Sequence, residues 1–132
     1  MQKVEIDFLV GKTCSSIWVS LEEENNNVIE FKTPEGTLSM RHNHECCETV
    51  VVKQIDGDLN DLVDTPILSA YRETKGIDYE YNKSFYVERA DLWTFYRLQS
   101  AKGPVTISWH GTSNGYYTVE VSTTWNPSTL NP

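Results

Sequence analysis

Apolar side chains recur at every second position through much of this chain, a period that suits extended strands and no regular helix. Val4, Ile6, Phe8 and Val10 share one face of an expected strand ending at Gly11. Ile17, Val19 and Leu21 repeat the pattern, Glu22 to Asn27 forms a polar tip, and Val28 to Lys32 returns as the second arm of a hairpin. Pro34, Glu35 and Gly36 make a turn, Thr37 to Met40 begins another strand, and the β-branched run Cys47 to Lys53 makes the next. Ile67 to Glu73, Phe85 to Glu88 and Leu92 to Leu98 are further strands, with residues 74–84 as a polar connection. Val105, Ile107 and Trp109 alternate, Gly111 to Gly115 turns, and Tyr117, Val119 and Val121 alternate again, which predicts a last hairpin.

One helical start interrupts the pattern. Asp58 can cap residues 58–64, where acids suit a helix N-terminus, and Pro66 closes the segment. The expected class is therefore mainly β, with α+β as the alternative: a single antiparallel sheet, sandwich or roll with one short helix near 58–64. Residues 1–125 form one domain and 126–132 a C-terminal tail, without internal repeat or linker.

Charge divides the 132 residues unevenly. Residues 1–66 hold thirteen acids and five bases, residues 67–132 six of each, so the net charge of −8 belongs to the first half. Eleven of the fifteen aromatics fall between Tyr79 and Trp125, in the neutral half. A pI near 4.8 argues against general nucleic-acid binding, which needs a basic face to displace counterions. No apolar run approaches the roughly 18–20 residues of a membrane span, and MQKVEIDFLVGK alternates where a signal peptide would have an apolar block. Three cysteines do not read as a disulfide framework, and a reducing, intracellular setting is expected. Asn82-Lys83-Ser84 matches a glycosylation acceptor that this setting would leave unused.

Two groups of residues can carry chemistry. In His42-Asn43-His44-Glu45-Cys46-Cys47-Glu48, His42, His44 and Cys46 are the metal-capable set, and an H-x-H pair can grip one zinc. On a flat strand, however, His42 and Cys46 stand ~13 Å apart, so all three need a bend or help from His110. Without a second ligand cluster no cofactor is expected, zinc being the one considered. The cysteines also offer a thiolate nucleophile with a nearby His as base.

The second group is aromatic. Trp93, Phe95 and Arg97 alternate against Thr94, Tyr96 and Leu98, so each face of that strand has aromatic area. Trp93, Arg97, His110, Asn114 and Tyr116 suit a planar polar ligand, with rings and guanidinium to stack and short polar groups to fix sugar or phosphate oxygens; His42 and Glu48 are its expected neighbours. The same rings serve equally well as core or subunit contacts.

His42 followed by Cys46-Cys47-Glu48, Gly57-Asp58-Leu59 with Asp61-Leu62, Pro66-Ile67-Leu68, Trp93-Thr94-Phe95-Tyr96 and Gly111 to Tyr117 resemble a family of small phage-encoded proteins, over roughly residues 42–121. That family usually has Gln at the position of His44, which makes the H-x-H pair peculiar to this chain. The resemblance implies a phage protein acting in the cytoplasm of an infected bacterium, and no established activity comes with it. By analogy with small, oligomeric phage proteins, the expectation is a non-enzymatic binding protein that sequesters a nucleotide-derived host immune signal. The alternatives are an interaction or structural protein that uses its aromatic surface for self-assembly or for a host or virion protein, and a metal- or cysteine-dependent hydrolase of such a signal.

Overall fold

In the computed structural model, which describes residues 1–78 and 89–128, the alternating segments become nine strands among those residues. They are β1 (Gln2–Lys3), β2 (Ser16–Ser20), β3 (Val28–Thr33), β4 (Gly36–Arg41), β5 (Thr49–Asp56), β6 (Ile67–Ile77), β7 (Ala90–Ser100), β8 (Gly103–Ser113) and β9 (Ser122–Pro127). Two antiparallel sheets result: a five-stranded one ordered β1-β9-β4-β3-β2 and a four-stranded one ordered β5-β8-β7-β6. Side chains alternate across each strand, so one face of each sheet supplies the core between them. Phe31, Leu38 and Met40 come from the first sheet; Tyr96, Ile107 and Trp109 come from the second. Trp109 Nε1 donates to Met40 Sδ at 3.1 Å, giving a fully buried indole its hydrogen-bond partner across the sandwich.

The hairpin with the polar tip forms as read, with Ile17 opposite Phe31 and Val19 opposite Ile29. The turn at Pro34 to Gly36 joins β3 to β4. Three expectations change. Val4 to Val10 is not one strand: the chain leaves β1 after two residues and makes a 3-10 turn at Ile6–Leu9 that buries Ile6 and Leu9. The expected helix near 58–64 is a single 3-10 turn, Leu59–Leu62, which Asp58 caps by accepting the Asn60 amide at 2.9 Å. Among the described residues there is no α-helix, and the mainly β reading is the correct one.

The last hairpin also differs. β8 runs on to Ser113 as a central strand between β5 and β7, and residues 117–121 do not fold back on it. They cross instead to the five-stranded sheet, where β9 pairs with β4 and β1. Gly111, expected in the turn, lies opposite Val50 and Leu92 and makes room for this crossing. A Cβ there would stand 2.6 Å from Val119 Cβ and 3.1 Å from Val50 Cγ2. Gly111→Ala is therefore expected to cost about 1–3 kcal/mol through overpacking, read as a lower urea midpoint at unchanged m-value.

At the C-terminus, Asn126 and Pro127 belong to β9 and pair with Thr37 and Gly36. The Asn82-Lys83-Ser84 match and the expected strand Phe85 to Glu88 lie outside the described residues, as does most of the 74–84 connection; β6 takes its first part. Among the described residues no helix is long and apolar enough to cross a membrane.

Candidate functional site

The His/Cys/Glu cluster lies in the loop between β4 and β5, off any strand. The carboxylate of Glu48 is buried at its centre. Its Oε2 accepts from His42 Nε2 at 2.9 Å and from the Glu45 amide at 2.8 Å, and its Oε1 accepts from the Cys46 amide at 2.9 Å. Burial by itself would push this carboxyl up, but the bonds from His42 and the loop amides outweigh it and hold Glu48 down at about 2. His42 is buried too, and its Nδ1 donates to the Glu120 carbonyl at 2.7 Å. Both ring nitrogens are thus engaged, and His42 links the Glu48 carboxylate to the Glu120 backbone.

His42 and Glu48, expected as pocket neighbours, are bonded to each other and to the backbone of this loop and of Glu120. His44 Nε2 donates to the Glu48 carbonyl at 3.0 Å, and Cys46 is bonded to Cys47. Among the described residues no three His, Cys, Asp or Glu side chains are grouped so as to hold a metal ion.

The aromatic residues occupy the other kind of position. Along β7, Thr94, Tyr96 and Leu98 are buried, whereas Trp93, Phe95 and Arg97 remain half-exposed on the outer face of the four-stranded sheet. Strand register sets their neighbours: Lys75, Trp93 and His110 form one row, Glu73, Phe95 and Ser108 the next, and Tyr71, Arg97 and Thr106 a third. The Trp93 and Phe95 rings lie parallel with centroids 6.0 Å apart, and the His110 ring lies 4.5 Å from Trp93. Arg97 stands over Phe95 at 5.2 Å and donates from Nε to Glu73 Oε1 at 2.5 Å. His110 Nε2 is bonded to Asp91 Oδ1 at 2.8 Å, which fixes the ring against Trp93.

At one end of this ribbon is a cleft of ≈ 440 Å³ lined by Lys75, Gly76, Ile77, Arg89, Asp91 and Trp93. Trp93, Arg97 and His110 share this outer face, and of the three Trp93 lines the cleft. Asn114 and Tyr116 make bonds of their own loop: Asn114 Oδ1 accepts the Tyr116 amide at 2.9 Å, and the exposed Tyr116 ring meets Tyr117. Lys75 was missed by sequence reading because only the β6–β7 register brings it to Trp93, whereas Asp91 and Arg89, two and four residues before Trp93, follow from the chain's own alternation.

Fold and site together define an antiparallel β-sandwich with one aromatic outer face. The chain matches the family described as a domain of unknown function, DUF7448, over residues 7–123, and belongs to that family. No curated protein and no solved structure matches it.

Proposed function

We propose that this is a non-enzymatic binding protein whose aromatic outer face takes a planar, phosphorylated ligand of the nucleotide type. In the phage setting that the sequence motifs imply, the ligand is a nucleotide-derived host immune signal and the role is its sequestration in the host cytoplasm. The supporting observation is the cleft beside Trp93: a stacking surface on one wall, with the cationic side chains of Lys75 and Arg89 on the same rim. Its size falls within the roughly 300–1,000 Å³ of small-molecule sites. The chain's acidic excess lies in the first half of the sequence, whereas these cations belong to the neutral half.

Calorimetric titration with cyclic dinucleotides and ADP-ribose derivatives tests this reading. Binding with release of the ligand unaltered on heat denaturation is the expected result, and recovery of a cleaved product would point to a hydrolase. Trp93→Ala should weaken binding about 5- to 150-fold, since stacking on an aromatic side chain contributes about 1–3 kcal/mol per base. An absence of heat and thermal shift with every such ligand would remove this reading.

A second reading rests on β6, an edge strand among the described residues, where Leu68, Tyr71 and Ile77 are all more than half exposed. Apolar side chains along a sheet edge favour association with another copy or another protein. Light scattering of Tyr71→Lys against the parent chain would read it as loss of an oligomer.

A further inference from the structure

The three cysteines fall into two chemical kinds. Cys14 is fully buried, and burial pushes its thiol up to about 11, which keeps it protonated and inert. Cys46 and Cys47 are exposed in the β4–β5 loop and joined to each other. A disulfide stabilises a fold chiefly in proportion to the chain it closes, and a bridge between sequence neighbours closes almost none. The loop is already held without it, because Glu48 takes the Glu45 and Cys46 amides and His42 ties Glu48 to the Glu120 carbonyl. A cross-link that is superfluous for architecture and open to solvent is placed for exchange chemistry.

We propose that Cys46 and Cys47 form a reversible dithiol–disulfide site that exchanges with low-molecular-weight thiols and disulfides of the glutathione class. In the oxidising direction one cysteine thiolate attacks the external disulfide, forming a mixed disulfide and releasing one external thiolate. The neighbouring thiolate then attacks the protein sulfur of that mixed disulfide, closing the Cys46–Cys47 bond and releasing the second external thiolate. Two protein thiols have lost two electrons, one external disulfide has gained them, and the two thiol protons end on the two leaving thiolates. Reduction by external thiols runs the same steps backwards. The Glu48–His42 pair keeps the loop backbone in place in either state, so exchange proceeds without unfolding.

The test is alkylation of the folded, full-length protein with N-ethylmaleimide after equilibration in buffers of graded reduced to oxidised glutathione, read by intact mass and peptide mapping. Expected are two adducts, on Cys46 and Cys47, at the reducing end, none at the oxidising end, and a reversible passage between them. Cys14 should label only in denaturant. Cys46→Ser and Cys47→Ser, both at exposed positions, should each trap a stable glutathione adduct on the remaining cysteine. Two outcomes would overturn the proposal. One is a stable glutathione adduct on the parent protein, showing that the neighbour does not resolve it. The other is a bond that resists reduction until the protein unfolds, showing a structural cross-link.

Discussion

Glu48→Ala is expected to destabilise the fold by about 3–5 kcal/mol, because three donors around a buried carboxylate lose their acceptor, at about 1–3 kcal/mol each. The substitution strips His42 of its carboxylate while the ring stays bonded to the Glu120 carbonyl. It also leaves the Glu45 and Cys46 amides without their acceptor. Urea denaturation at pH 7 measures the loss. A pH series then assigns its origin. Glu48 drops from an ordinary 4.5 to about 2 in the folded protein, so the folded state binds its proton less readily than the unfolded state. That difference supplies about 3 kcal/mol of stability, present in full above the unfolded value and lost as pH falls from about 4.5 through about 2. Glu48→Gln keeps one carbonyl acceptor but has nothing to titrate. Its stability should stay flatter than the parent's across that window, and an equally steep acid limb in both proteins would place the loss on other carboxylates.

The same residue shows why the site was harder to read than the sheets. Period-two alternation reports which side chains are buried, and it located β3 and β7 well because their apolar faces meet the core along much of their length, whereas β6 buries only Ile67 and Ala70. Alternation does not report the hydrogen-bonding partner. Val119 and Val121 are buried as their pattern demands, yet they lie on a crossing between sheets and not in a hairpin. Ile6 and Leu9 are buried from a 3-10 turn, a geometry that a seven-residue alternation cannot be distinguished from a strand without knowing where the chain leaves the sheet.

Residue type alone did not reveal the hydrogen bonds that His42 and Glu48 make. A histidine and an acid beside two cysteines look like ligands, but carboxylates also gather the amides of a tight loop. An acid directly after a Glu-Cys-Cys turn was the available signal for that role. For the aromatic strand, sequence left both faces open because each carries a ring, and the decision fell to what β8 and β6 place beside them.

That decision has a thermodynamic consequence in the chain's tryptophans. Trp109→Ala is expected to cost about 3–5 kcal/mol, the range for truncating a large aromatic in a core that cannot collapse around the cavity. Trp109 is 1 % exposed and sits at the centre of β8 between Val52 on β5 and Thr94 on β7, with Met40 of the opposite sheet against its nitrogen. Against the about 5–15 kcal/mol that holds a domain of this size, the loss leaves a marginal fold at 25 °C. Trp93 lies on the opposite face of the same sheet, stacked on Phe95 and tilted against His110 but partly open to solvent. Its truncation removes ring contacts without opening a cavity and should cost less than about 1.5 kcal/mol. Paired urea melts of the two variants read the difference, and acrylamide should quench the fluorescence that Trp93→Ala removes far more readily than the fluorescence that Trp109→Phe removes. If the two alanine variants proved equally destabilised, Trp93 would be a core residue and the aromatic face would not be available to a ligand. A large gap between them, with binding lost only in the milder variant, separates the residue that holds the sandwich from the one that uses it.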